Sequence, residues 1–273
     1  MKPILFGLMA VLLIGLIVLT ILSSRFQDRI ARLRLEAAAE QLEASRNVSE
    51  PPPIMRRFAE RNGGRANGPF TVLSRQRAQM RLAPNQPFFD VDATQLSGTR
   101  TAAFVWQATA NVATVVPIRV VDSYVRGHGL LEVKVAGALP MAHATGPEND
   151  IGEMMRFLSE LAWNPDAILS AQGLAWRQID DRTVEVSAPT DGGIARVRHI
   201  FDAEGDIVGI EADDRPYLVD GLSQPTRWIG RFGAYATYGA YRLPSYGEVA
   251  WDLPEGEFVY WRGTILSFAG SSR

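Results

Sequence analysis

Hydrophobic positions follow three different rhythms along this chain. From Ile4 to Ser24 they are almost continuous and carry no charge, long enough for a helix to cross a hydrocarbon core of ~30 Å. From Phe70 onward most apolar residues alternate with polar ones, the period of half-buried strands. Between two such strand-rich regions, Ile151, Met154, Met155, Leu158, Leu161 and Ala162 fall at helical spacing and form one stripe. Glu153, Arg156 and Glu160 stack on the opposite face of that helix. Asn149 or Asp150 can cap its start. Pro165 ends it, or breaks it before a second turn at Asp166–Ser170.

The alternation predicts strands at Thr71–Leu82, Phe88–Leu96, Thr101–Thr109, Val115–Val125 and Leu130–Ala138 before the helix. After it come Arg182–Ala188, Ala195–Asp202, Ile207–Asp213, Trp228–Tyr238, Glu248–Asp252 and Phe258–Phe268. Turn signals separate them at Asp191-Gly-Gly193, Glu204-Gly205-Asp206, Ser245-Tyr-Gly247 and Pro254-Glu-Gly256. In the first strand Val72, Ser74, Gln76, Ala78 and Met80 share one face; Leu73, Arg75, Arg77, Gln79 and Arg81 share the other. Strands, a helical pair, then strands again imply an α+β domain with a curved, mainly antiparallel sheet covered or plugged by the central helices.

The N-terminal run lacks a credible cleavage site, because Ile-Leu-Ser-Ser at 21–24 is followed at once by Arg25. An uncleaved anchor at 1–24 is therefore expected, with the chain single-pass in a membrane. Residues 25–53 read as a helical stalk closed by Glu50-Pro-Pro-Pro53, and the α+β domain as 54–273. The arginines after the span favour a cytoplasmic C-terminal side, whereas the export-type N-terminus favours the other. The sequence leaves the side open.

Composition narrows the chemistry. A formal charge of −2 gives no electrostatic case for nucleic acid. There is no cysteine, which excludes disulfides and thiol catalysis. His128, His143 and His199 share no ligand spacing, so neither a metal nor a cofactor is expected. No nucleophile elbow or Walker loop is present; Gly63-Gly-Arg-Ala-Asn-Gly68 lacks the Lys-Ser/Thr of the latter.

Two constellations remain. Glu153, Arg156 and Glu160 could form an acid–base couple, but Glu153 and Glu160 lie two turns, ~10 Å, apart along the helix. With Arg156 between them the trio suits a structural clamp if strands cover it, or a surface ladder if they do not. The second constellation is aromatic: Trp106, Trp163, Trp228 and Trp251, with Met154 and Met155, could line an apolar cavity, though packing of a solid core explains them as well. Arg75, Arg77 and Arg81 would suit an anionic headgroup, or be a solvated face.

Gly152-Glu-x-x-Arg-x-Leu-x-Glu-x-x-Trp-x-Pro165 resembles the signature of an uncharacterised bacterial family of membrane-anchored proteins, a domain of unknown function. Arg57-Phe58, Trp176, Arg215-Pro216, Trp228 through Tyr235, Pro244 through Trp251 and Tyr260-Trp-Arg262 fit it in order. The resemblance implies a half-barrel like that of lipoprotein-carrier proteins, whose curved sheet wraps apolar cargo. The expectation is a membrane-anchored, non-enzymatic module that binds a lipid or other hydrophobic ligand. The alternatives are a structural or protein-interaction module of the cell envelope or membrane and, third, an enzyme using Glu153, Arg156 and Glu160.

Overall fold

A computed structural model describes residues 2–45, 47–110, 116–219 and 222–271. Alternation in the first half becomes β1 (Thr71–Met80), β2 (Phe89–Gly98), β3 (Phe104–Ala110), β4 (Ile118–Val125), β5 (His128–Val135) and β6 (Leu139–Ala144). The second half gives β7 (Ala175–Asp180), β8 (Thr183–Thr190), β9 (Gly193–Phe201), β10 (Ile207–Val219), β11 (Leu222–Tyr238), β12 (Tyr241–Leu253) and β13 (Gly256–Ser271). Helices α1 (Lys2–Glu43) and α2 (Pro53–Arg61) precede them. Between the halves lie α3 (Pro147–Ser159), a 3₁₀ turn (Glu160–Trp163) and α4 (Pro165–Ser170).

All thirteen described strands form one sheet in the order β6-β5-β4-β3-β2-β1-β13-β12-β11-β10-β9-β8-β7. Every neighbouring pair is antiparallel, and the first and last strands join through β1 and β13. The fold is a curved antiparallel half-barrel within an α+β chain. The expected period-two face of β1 is observed: Val72, Ser74, Gln76 and Ala78 are buried while Leu73, Arg75 and Arg77 are exposed. Arg75 is exposed and Arg77 lies 3.7 Å from Asp92 in an exposed pair, so these two stand on a solvated outer face. Arg81, just past the strand, is half-buried instead, donating to the Val259 carbonyl at 2.6 Å and lying over Phe88 and Phe258.

The concave face is where α3 sits. It touches β4 and β5 on one side and β8, β9 and β10 on the other. Strands so far apart in one sheet can share a helix only if the sheet curves around it. Met155, Leu158 and Leu161 are fully buried against the second half of the sheet, together with Val184, Val197 and Ile210. The polar face of α3 is buried as well. The charges do not form a surface ladder, because β2, β3 and β4 cover them.

Helix α1 is unbroken, and its two halves have different surroundings. Phe6 through Ile21 leave their described apolar side chains largely exposed, and the mean hydropathy of this part reaches 2.2. The helix is long and apolar enough to cross a membrane. Beyond Ser24, Phe26, Ile30 and Ala37 pack on Ala103, Val105, Val121 and Val125. These strand residues alternate with Phe104 and Trp106 of the inner core, so α1 lies on the convex face. Residues 25–43, expected as part of a helical stalk, are helical and lie along the sheet. Gln41 fixes the far end, donating to Thr101 Oγ1 at 2.7 Å and accepting from the Arg100 and Thr101 amides.

The structure revises several expected elements. Neither edge strand, β6 or β7, is expected from the hydrophobic pattern. Their side chains are mostly exposed, so neither has the buried-and-exposed contrast that marks a strand. Ser245-Tyr-Gly247 is no turn: β12 runs straight through it. A Cβ on Gly247 would lie 2.6 Å from the Trp163 ring, so the glycine seats an indole. The expected start of the fourth strand at Val115 lies outside the described residues, and β4 is seen from Ile118.

Candidate functional site

The buried polar cluster begins with Arg156 on α3. Its Nε donates to Glu160 Oε1 at 2.9 Å, one helical turn on. Nη1 donates to Asp122 Oδ2 of β4 at 2.6 Å, and Nη2 to Gln95 Oε1 of β2 at 3.0 Å. Gln95 returns a hydrogen bond to Glu160 Oε2 and another to Ser97 Oγ. The guanidinium lies over Phe104 at 4.7 Å and Trp106 at 5.2 Å. Burial alone would make this arginine easier to deprotonate, but Glu160 and Asp122 raise its pKa above the usual value. Arg156 is a permanent, fully engaged cation that ties the helix to the sheet.

Glu153 stands in the same cluster without pairing to Arg156. It is 7% exposed, and burial, then the nearby charge of Asp122, push its pKa well above the carboxylate range. Glu153 Oε2 and Asp122 Oδ1 are both buried without a donor. A proton on Glu153, shared with Asp122, satisfies both oxygens at once. The trio Glu153, Arg156 and Glu160 is therefore one cluster, but its second carboxylate partner is Asp122. Sequence reasoning missed Asp122 and Gln95. The available signal was a polar residue at an inward position of an otherwise apolar strand face, as in Val120-x-Asp122-x-Tyr124.

The aromatic candidates separate into three places. Trp106 joins the Arg156 cluster and donates its indole N–H to Gln76 Oε1 at 3.0 Å. Trp163, half-buried, donates to the Pro244 carbonyl at 2.8 Å and meets Phe232 edge-on. Trp228 and Trp251 come together on facing positions of β11 and β12. Trp228 donates to Tyr260 Oη at 3.1 Å, and Trp251 lies 4.6 Å from the Tyr217 ring. Met154 and Met155 are buried in the main core. Between the 3₁₀ turn and β1, β2 and β13, where Trp163, Gln95 and Glu160 face one another, the free volume is about 20 Å³. That is room for about one water molecule, so this space is packed rather than ligand-sized. A groove of about 710 Å³ lies outside the half-barrel, between α2 and the 202–205 turn, and Arg57, Arg61 and Arg182 make it polar.

Arg215 of β10 completes the interior. Its guanidinium lies 4.1 Å over Trp228 and 5.7 Å from Trp251. His199 of β9 is also internal: its Nε2 is 3.0 Å from the Leu158 carbonyl of α3, and burial lowers its pKa to about 4. It is a neutral structural histidine that donates to the helix. Among the described residues no group of acidic or histidine side chains could hold a metal ion.

The architecture is a half-barrel crossed by a clamped internal helix, with the second half of a long N-terminal helix docked on its convex face and the apolar first half left exposed. The chain belongs to the family of unknown function DUF6544, whose match spans residues 40–263. No curated protein matches it significantly. Among solved structures it is similar to a LolA-superfamily protein of Nitrosomonas europaea, with 11% identity and a TM-score of 0.42, over 81% of this chain and 93% of that one. It is also similar to a candidate outer-membrane lipoprotein-sorting protein domain of Vibrio parahaemolyticus, with 11% identity and a TM-score of 0.44, over 80% of this chain and 90% of that one.

Proposed function

We propose that this is a membrane-anchored, non-enzymatic module that takes a lipid or other hydrophobic ligand at the rim of its concave face. The observation that carries this reading is where α1 leaves the sheet. The Ser23 hydroxyl accepts from Arg119 at 3.3 Å, and a Cβ on Gly137 would lie 3.0 Å from it. The apolar run therefore departs beside the start of β4 and the β5–β6 turn. In an antiparallel meander alternate connections share a rim, so the 81–88 and 136–138 connections lie on this one, with 116–117 at the start of β4.

That rim carries Leu82, Val116 and Leu139, exposed by 69%, 44% and 51%. Just inside it, Met80, Phe89, Ile118 and Val120 are only partly buried against the core. With the apolar run in a bilayer, these side chains stand next to the lipid surface, and burying them there is favourable. Deeper in, α3 closes the concave face, which limits a ligand to the rim end.

The test is the full chain in vesicles that contain a phospholipid with a photoreactive acyl terminus. Cross-links to inner positions of β2, β4 or β12, besides those to α1, are expected. Cross-links confined to α1 would sink the reading. A structural or assembly module is the second reading, favoured by the packed space beside Trp163.

A further inference from the structure

We propose that Arg215 binds the oxyanion of an acidic amphiphile, a carboxylate or phosphate on an acyl chain; this rests on the rim reading above. Arg215 is 8% exposed, and its Nη1 is buried without a hydrogen-bond partner. It enters no ion pair among the described residues. Arg156, the other guanidinium of this interior, bonds to three side chains. The contrast matters because a guanidinium is a planar fork of donors shaped for bidentate oxygen partners.

The indole of Trp228 covers one face of the fork, which favours the cation but supplies no acceptor in its plane. Glu153, whose charge would interact with that of Arg215, has its pKa pushed well above the carboxylate range by burial and then by Asp122, and makes no ion pair with it. Asp122 and Glu160 are both taken by Arg156. What Arg215 lacks is oxygen.

Its place fits such a ligand. Arg215 pairs with Thr226 in the β10–β11 hairpin, on the rim that also holds the 81–88 connection. Tyr217, Trp251 and Leu253 beside it are apolar and belong to or border the core. An acyl chain along this wall would bring its acidic end to the fork. The bond is ionic and hydrogen-bonded, with no covalent step.

The test uses the full chain in nonionic-detergent micelles with two photoreactive probes of equal chain length, a fatty acid and its fatty alcohol. The acid should label β10–β13 at least about tenfold more than the alcohol, the ratio worth ~1.4 kcal/mol. Arg215→Gln should erase the difference, and Arg215→Lys should keep part of it. Far-UV dichroism controls for folding, and the acid-to-alcohol comparison on the native chain needs no variant. Equal labelling by both probes would overturn the Arg215 assignment and leave the lipid reading standing. No labelling of β10–β13 or of the β2 and β4 inner positions by either would remove both. Displacement of the acid by inorganic phosphate alone, at the same concentration, would reduce the site to a small-anion site and overturn the amphiphile.

Discussion

Arg156 Nη1 meets Asp122 Oδ2 at 2.6 Å, joining residues 34 positions apart and fastening the internal helix to β4. Their side chains are 17% and 16% exposed, so both are largely shielded from water. A buried pair of this kind adds little net stability as a whole, yet breaking it from one side leaves the partner charged and alone.

Arg156→Ala should therefore cost about 3–5 kcal/mol, because Asp122, Glu160 and Gln95 lose their shared donor. Urea unfolding of the full chain in micelles reads this directly. A loss below about 1 kcal/mol would mean that the cluster behaves as an exposed one.

Glu153 makes a prediction of opposite sign. A carboxyl whose folded pKa is raised contributes stability that is complete below its unfolded pKa and is lost as pH rises through the folded value. Glu153 is raised well above 4.5 by burial first. Glu153→Gln, a permanent mimic of the protonated acid, should leave stability near pH 4.5 little changed and raise it at pH 8. Melting curves of the variant and native chain at both pH values compare the two. A variant that is less stable at pH 8 than the native protein would show that Glu153 is ionised and paired.

His199 acts at the acid side. Its pKa is lowered from 6.5 to about 4 by burial, so the fold resists its protonation. The stability it contributes is complete above pH 6.5 and is lost as pH falls towards 4, about 3 kcal/mol over the whole window. His199→Gln, which keeps an N–H for the Leu158 carbonyl, should flatten the stability profile between those values. An unchanged slope would assign the acid loss to other groups.

What the sequence made legible follows contrast. β1 and α3 each have one face of apolar side chains, and spacing marks both. The start of α3 is not at Asn149 or Asp150, however, because the helix begins at Pro147 after Gly146 with no side-chain cap, and Asp150 accepts from the Gly129 amide instead. β6 and β7 bury little on either face, so their residues carry no rhythm to read. The fate of the Glu153–Arg156–Glu160 face could not be read from the helix alone, because Gln95 and Asp122, which cover it, lie 61 and 34 residues away. The same holds for Gly247, whose missing side chain answers to Trp163 and not to a turn. The docking of α1 had a local trace in Phe26, Ile30 and Ala37, spaced four and then seven residues apart, that an alanine-rich helix partly conceals.

The central claim is that the rim bearing Leu82 and Leu139 faces the bilayer. The chain has no cysteine, so single-cysteine variants can be labelled at one chosen point. Leu82→Cys, Leu139→Cys and, on the opposite rim, Arg126→Cys would each carry a polarity-sensitive fluorophore in the full chain reconstituted into vesicles. Quenching by lipids brominated on their acyl chains is the measurement. Strong quenching is expected at 82 and 139 and little at 126; quenching that is equal at all three, or absent at 82 and 139, would contradict a bilayer-facing rim.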